Sequence, residues 1–311
     1  MASETSNQTE LNVVTGAFSY TGKYITHRLL AGGARVKTIT GHPGRPNPFG
    51  GQVIAAPFNF DNPPALTAQL SGASTLYNTY WVRFSRGEVT FDRAVENTKI
   101  LIRAARDAGV GRIVHISITN PSLDSSLPYF RGKAQVEEAV IASGVSYAIV
   151  RPTVIFGIED ILINNIAWLL RRFPLFVVPG PGSYRFQPIF VEDLVELVVD
   201  AGGEKDNLVM DAAGPEIYTF DQFVRLVGQT MGSKSRIVHL PPALALRLSK
   251  IVGLFLGDVV LTRDEVTGLM SDLLVSDAPP AGKTSLKSWL SDNSATLGDR
   301  YASELDRHYR R

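Results

Sequence analysis

The chain has 311 residues, of which 44% are apolar and 20% charged, and its formal net charge is +1. Such a composition is typical of a globular protein with a sizeable core, and the near-zero charge gives no reason to expect nucleic-acid binding. No cysteine is present, which excludes disulfides, thiolate catalysis and cysteine-bound metals. The five histidines show no metal-ligand spacing, so we expect no metal site.

Two segments bear on targeting and on membranes. The first ten residues lack the basic and apolar regions of a signal peptide. Residues 243–261 are apolar, but Arg247, Lys250 and Asp258 interrupt them. We interpret this run as a buried or amphipathic helix, with membrane contact as the alternative, because a bilayer-spanning helix needs a longer uncharged stretch. We therefore expect a cytoplasmic protein without an integral membrane segment.

Short β-branched runs alternate with helical patterns through the first half of the chain. The predicted strands are residues 12–16, 35–40, 52–60, 74–82, 112–117 and 146–157. The predicted helices are residues 23–33, 63–72, 91–110 and 130–144. This alternation predicts an α/β fold of the Rossmann-like, doubly wound type, with a parallel sheet covered by helices on both faces. Ligands of such folds bind at the carboxyl ends of the strands.

The regular alternation ends after residue 157. A further strand is predicted at residues 207–214, and the chain beyond it is mostly helical in pattern. We predict a dinucleotide-binding Rossmann domain over residues 1–155. A smaller, mostly helical substrate lobe should occupy residues 156–311, with about 186–214 packing back on the first domain.

A glycine-containing loop follows the first predicted strand, with Gly16, Ser19 and Gly22 in a G-x-x-S-x-x-G pattern. In the all-glycine form, the first glycine permits the tight turn, the second a close approach to the pyrophosphate, and the third close helix–strand packing. The helix start adds free N–H groups for a phosphate. We expect dinucleotide binding, with the Ser19 hydroxyl donating to a phosphate oxygen.

The end of the second predicted strand bears on the choice of cofactor. NAD sites place an Asp or Glu there for the ribose 2′-hydroxyl, but this chain has Thr40, His42 and Arg45 and no carboxylate. These side chains suit a 2′-phosphate. We predict NADP(H), with NAD as the alternative, and a solvated Arg45 as the alternative interpretation of that residue.

Tyr129 and Lys133 are four residues apart, which places them on one face of the predicted helix. An unperturbed tyrosine has a pKa near 10, and a nearby ammonium group favours its anion. The pair therefore suits proton transfer coupled to hydride transfer.

The chain resembles extended and atypical members of the short-chain dehydrogenase/reductase superfamily, in particular the epimerase/dehydratase-like group that includes an accessory subunit of respiratory complex I. The resemblance covers about residues 12–213. It depends on the segments VTGAFSYTG, AVENTKILIRAARDAGVGRIVHIS, YFRGK, VRPTVIFG and QPIFVEDLVELV.

The resemblance implies a general acid/base at Tyr129, with Lys133 as its partner and Asn59 and Phe60 near the adenine. The serine or threonine of the family falls at Ile118, so Ser117 or Thr119 is expected to replace it. The complete predicted cofactor-binding set is Gly16, Phe18, Ser19, Tyr20, Thr21, Gly22, Thr40, His42, Arg45, Asn59, Phe60, Asn78, Thr79, Tyr80, Lys133 and Pro152.

Two functions from different classes follow from these observations. The first is an NAD(P)(H)-dependent oxidoreductase, epimerase or dehydratase that acts on a small-molecule substrate, with a homodimer as a possible assembly. The second is a cofactor-bound structural or redox-sensing protein without turnover. The Tyr129–Lys133 pair favours the first. The second is favoured by Ser19 in place of the middle glycine and by Ile118 at the position of the family's serine or threonine.

Overall fold

The computed structural model describes residues 10–308. Its strands are β1 (Leu11–Thr15), β2 (Arg35–Thr40), β3 (Val53–Pro57), β4 (Ala73–Asn78), β5 (Arg112–Ile116), β6 (Ser146–Pro152), β7 (Val154–Phe156), β8 (Leu175–Pro179), β9 (Arg185–Phe186), β10 (Pro188–Phe190), β11 (Leu208–Ala212), β12 (Tyr218–Thr219) and β13 (Arg236–Leu240). Its α-helices are α1 (Tyr20–Ala31), α2 (Pro63–Leu70), α3 (Phe91–Asp107), α4 (Pro128–Ile141), α5 (Ile161–Arg172), α6 (Val191–Gly203), α7 (Phe220–Thr230), α8 (Pro242–Leu256), α9 (Arg263–Met270), α10 (Leu286–Asn293) and α11 (Glu304–His308).

A seven-stranded sheet forms the first half of the molecule, in the order β11-β6-β5-β4-β1-β2-β3. Every neighbouring pair in it is parallel. Helices α1 and α6 cover one face, whereas α2, α3 and α4 cover the other. The predicted doubly wound α/β fold is therefore confirmed. The strand order reverses between β1 and β4, which opens the crevice where such folds bind ligands.

Three of the predicted strands differ most from the strands of the structure. The predicted strand 146–157 is two strands, because the chain leaves the main sheet at Thr153, whose hydroxyl bonds the carbonyl of Gln187. Beyond it, β7 pairs with β10 in a separate sheet. The predicted strand 74–82 ends at Asn78, whose side chain accepts from the N–H of Tyr80. The predicted strand 52–60 ends at Pro57.

The later part of the chain divides between the two halves of the molecule. Strand β11 pairs with β6 at the edge of the main sheet, and α6 packs against α1. The remaining helices and short sheets surround a second core that contains Phe156, Phe186 and Phe223. Within residues 10–308, no helix is both long enough and apolar enough to cross a bilayer.

Candidate active site

A cleft of about 1690 Å³ lies between the carboxyl ends of the main-sheet strands and the second lobe. The first domain contributes the glycine loop, the segment after β4 and the start of α4. The second lobe contributes mainly apolar residues of α5, α8 and the segment before α9. Of the predicted set, the cleft is lined by Gly16, Ser19, Tyr20, Thr21, Gly22, Thr40, His42, Phe60, Thr79, Tyr80 and Tyr129.

The glycine loop has the geometry of a phosphate-binding turn. Gly16 has φ of +64°, a conformation that favours glycine. A Cβ added to Gly22 would lie 2.3 Å from the carbonyl oxygen of Gly16, so only glycine lets α1 start this close to β1. The first turn of α1 directs backbone N–H groups toward the cleft. These residues fit the pyrophosphate of a dinucleotide.

Ser19 lies at the N-cap of α1, but its side chain makes no capping hydrogen bond. Its hydroxyl donates instead to the carbonyl of Gly16, at 2.9 Å, within the loop. Donation to a phosphate oxygen therefore requires this hydroxyl to rotate. The predicted phosphate contact of Ser19 stays a prediction.

A buried polar network fixes the ends of β1, β4 and β5. The Thr15 hydroxyl accepts from the N–H of Thr79 at 2.7 Å, and the Thr79 hydroxyl donates to the Thr15 carbonyl at 2.6 Å. The Asn78 side chain bonds the His115 ring at 3.1 Å. Burial holds the pKa of His115 well below its usual range, so this imidazole is neutral. Asn78 is fully buried, and therefore it braces the cleft floor rather than facing the cleft.

Tyr129 lies in the first turn of α4 and is half-buried. Its ring makes edge contacts with Trp81, Phe91 and Phe130, with ring centroids 5.6–5.8 Å apart. Burial raises the pKa of Tyr129 to about 12, with a further increase from Glu265, which outweighs the lowering by Arg83. The ligand-free protein therefore holds Tyr129 as a neutral phenol.

Lys133 lies one turn further along α4 and is buried. Its ammonium group donates to the carbonyl of Ile116 at 2.8 Å and lies 4.7 Å from the centre of the Trp81 ring. Burial lowers the pKa of Lys133 to about 7, although Glu137 opposes the shift. Burial dominates the pKa of both groups, and the expectation that Lys133 lowers the pKa of Tyr129 stays a prediction.

Neither predicted hydroxyl partner bonds Tyr129. Ser117 is buried, and its hydroxyl has no hydrogen-bond partner within residues 10–308. The Thr119 hydroxyl donates to Asp211 at 3.4 Å, near the edge strand β11. Ile118 is buried beside Leu127 and Phe130. Ser117 is the better remaining candidate, since Thr119 is already engaged.

Comparisons with known proteins place this geometry in a family. Residues 16–158 match a family described as NAD(P)H-binding. The mitochondrial NADH dehydrogenase [ubiquinone] 1 alpha subcomplex subunit 9 of Arabidopsis thaliana is 23% identical over 283 residues, which cover 85% of this chain and 70% of the relative. These matches confirm the resemblance to extended short-chain dehydrogenases/reductases that the sequence motifs indicate.

Solved structures share the fold of this chain. The triphenylmethane reductase of Citrobacter sp., complexed with NADP(H), matches with a TM-score of 0.73 and 16% identity over 90% of this chain and 99% of that one. An NADPH-dependent quinone oxidoreductase of Escherichia coli, complexed with NADPH, matches with a TM-score of 0.72 and 20% identity over 92% and 99%.

The loop after β2 lies partly under the C-terminal segment. Arg45 donates to the carbonyl of Arg307 at 2.7 Å, and Arg307 in turn donates to the carbonyl of Glu159 at 2.7 Å. Arg45 is therefore not merely solvated, as the alternative interpretation held. Through Arg307, helix α11 therefore connects the loop after β2 to the segment before α5.

The other predicted cofactor residues differ in their exposure to the cleft. Phe60 stacks on Phe58 with centroids 4.8 Å apart and lines the cleft. Asn59 adopts a positive φ of 47° in the turn before α2. Phe18 packs on the core beside Phe49. Pro152 is buried at the end of β6, where its carbonyl accepts from Thr119.

Sequence reasoning missed two features of the cleft. Arg83 bonds Glu265 at 2.6 Å and the buried Glu304 at 3.0 Å. It therefore fastens α9 and α11 to the segment after β4. Trp81 packs on Gly132, where an added Cβ would lie 2.9 Å from the indole. The glycine three residues after Tyr129 was the available signal for this contact.

Proposed function

We propose that this chain is an NADPH-preferring reductase of apolar carbonyl or quinone compounds, with Tyr129 as the proton donor. The observation that carries the proposal is the position of Tyr129 as a neutral phenol in the cleft that begins at the glycine loop. At neutral pH a tyrosine is protonated unless its pKa is strongly lowered, so Tyr129 can donate a proton. Reduction of a carbonyl needs such a donor, whereas epimerisation and dehydration begin with the removal of a proton.

The proposed chemistry divides between the cofactor and the chain. Bound NAD(P)H supplies a hydride to the carbonyl carbon of the substrate. Tyr129 gives its phenolic proton to the carbonyl oxygen. Lys133, on the same face of α4, stabilises the phenolate that remains on Tyr129 when its own ammonium is charged. The rings of Trp81 and Phe91 exclude water from the Tyr129 side chain.

The substrate class follows from the cleft wall. The second lobe lines the cleft with apolar residues of α5, α8 and the segment before α9, which include Leu162, Leu169, Val252 and Leu261. Arg83 is neutralised by two carboxylates, so it offers no free charge to a diphosphate. An apolar carbonyl or quinone fits this wall better than a nucleotide sugar does.

NADPH preference is proposed from the end of β2, where Thr40, His42 and Arg45 stand without a carboxylate. Thr40 and His42 line the cleft. A 2′-phosphate would find the Thr40 hydroxyl and the His42 ring there, with the Arg45 guanidinium nearby if it leaves the Arg307 carbonyl. A 2′-hydroxyl would lack its usual carboxylate acceptor.

The experiment is a screen for NADPH oxidation with apolar ketones, quinones and nucleotide sugars, followed by Tyr129→Phe. Turnover of the best substrate should fall about 10²–10⁴-fold, which is the usual contribution of a positioned proton donor. Tyr147→Phe is the matched control, because Tyr147 lies at the start of β6 and away from the cleft. Wild-type turnover by Tyr129→Phe would show that another group donates the proton.

A second candidate function is a cofactor-binding protein without turnover. The observation in its favour is that Lys133 bonds Ile116 and contacts Trp81 instead of Tyr129. Cofactor that co-purifies with the protein, together with no oxidation of NADPH by any substrate class in the screen, would favour this candidate over the reductase.

A further inference from the structure

Helix α8 exposes an apolar face that nothing in residues 10–308 covers. Leu254 is 82% exposed and Phe255 is 87% exposed. Leu244, Leu248 and Ile251 are also exposed, and their spacing places them on the same side of the helix as Phe255. We call these five residues the α8 face. An exposed face with five large apolar side chains marks a contact surface.

The α8 face continues into the mouth of the cleft. Leu248 is exposed and also lines the cleft. The same holds for Leu162, Phe173 and Leu175, which belong to α5, the residue after it and β8. Helix α8 packs against β8, so these residues form an apolar rim beside the α8 face.

The charges on α8 identify the kind of surface that it fits. Arg247 and Lys250 are its only charged residues, both are exposed, and the helix has no carboxylate. Apolar side chains flanked by cations match an anionic bilayer surface, where the apolar groups enter the acyl boundary and the cations meet lipid phosphates. A second copy of the chain would instead enclose Arg247 and Lys250 with no carboxylate on this helix to pair with them.

We propose that the α8 face docks on the surface of an anionic lipid bilayer, with the mouth of the cleft turned toward the lipid. The helix lies in the interface and does not span the membrane. This inference does not depend on the proposed reductase activity, and its test reads vesicle binding alone.

The test is co-sedimentation of the full-length protein with vesicles of phosphatidylcholine alone or mixed with phosphatidylglycerol. We expect binding to the mixed vesicles that weakens with added salt. Leu254→Ser/Phe255→Ser should lower the partition coefficient at least about tenfold, since each side chain loses its transfer into the acyl boundary. Arg247→Gln/Lys250→Gln should remove most of the preference for anionic lipid.

Ile54→Ser is the matched control, because Ile54 is a single exposed apolar residue on β3, and it should bind vesicles like the wild type. Phe255→Trp adds a local probe, whose emission should shift to shorter wavelength on binding. Wild-type protein that stays in the supernatant with mixed vesicles overturns the proposal. Binding that survives Leu254→Ser/Phe255→Ser also overturns it. A wild-type dimer that this double variant makes monomeric, without vesicle binding, assigns the face to a second copy instead.

Discussion

The loop after β1 and the first turn of α4 both line the cleft, but different contacts fix their geometry. In the loop, backbone contacts fix the geometry, since Gly22 leaves no room for a Cβ against the carbonyl of Gly16. On α4, the properties of Tyr129 and Lys133 depend on side chains from distant segments, such as Trp81 and Glu265. Substitutions in the loop should therefore act on shape and cofactor binding. Substitutions on α4 should change the protonation of buried groups and the rate of turnover.

A large effect on both stability and cofactor binding is expected from Gly22→Ala. The new Cβ would lie 2.3 Å from a backbone oxygen, so α1 must move away from β1. We expect a loss of about 3 kcal/mol in the free energy of unfolding and a matching loss of NADPH affinity. Urea unfolding and titration calorimetry measure the two quantities.

The control for the loop is Gly203→Ala at the end of α6, where an added Cβ meets nothing within 4 Å. This variant should unfold and bind NADPH like the wild type. If Gly22→Ala behaves like Gly203→Ala, the backbone does not fix the loop and the contrast with α4 fails.

Arg45→Ala tests whether this side chain, in the loop after β2, binds the 2′-phosphate of NADPH. If Arg45 binds the 2′-phosphate, NADPH affinity should fall by about 1–3 kcal/mol while NADH affinity is unchanged. Calorimetric titration with both cofactors gives the difference. Arg35→Ala is the control, because Arg35 is exposed at the opposite end of β2. An equal loss for both cofactors would assign Arg45 to its contact with the C-terminal segment and not to the phosphate.

Lys133→Met tests how the burial of this lysine on α4 changes the free energy of unfolding with pH. Burial lowers the pKa of Lys133 from 10.5 to about 7. Between these values the unfolded chain binds the proton and the folded chain does not, so the free energy of unfolding rises with pH. The rise is on the order of 1 kcal/mol per pH unit. Below pH 7 both states are protonated, and the cost of the buried charge is constant.

The methionine variant removes this contribution. Its free energy of unfolding should exceed that of the wild type at pH 7 and rise less steeply up to pH 10. Urea titrations at a series of pH values measure both slopes. Lys99→Met, at an ion-paired position on the surface of α3, should keep the wild-type slope. Parallel slopes for Lys133→Met and the wild type would show that the buried lysine is not the cause.

The smallest effect is expected at Ser19. If its hydroxyl turns from the Gly16 carbonyl to a phosphate oxygen, Ser19→Ala should weaken NADPH binding by about 1 kcal/mol. Ser19→Gly removes the side chain altogether and should weaken binding to a similar degree. Tighter binding by the glycine variant, with no effect of alanine, would mean that the side chain only crowds the pyrophosphate.

Local sequence patterns were enough to predict the parallel α/β fold and the glycine loop after β1. Alternating strand and helix patterns predicted the parallel sheet, because burial on both faces imposes a local composition that is visible in short windows. The loop was equally visible, since Gly16 and Gly22 answer steric demands of their immediate neighbours. The predicted homodimer and cytoplasmic location stay predictions.

The ion pairs and pKa shifts of the cleft, and the exposure of α8, depend on contacts between segments that are distant in the sequence. Arg83 pairs with Glu265 and Glu304, which lie 182 and 221 residues away in the chain. The spacing of Tyr129 and Lys133 predicted their common helix face, but not that burial by distant rings raises one pKa and lowers the other. Whether Phe255 lies in a core or at the surface depends on what packs against its helix. The physical reason is common to all three: desolvation and pairing are set by neighbours in space, which a single local pattern does not specify.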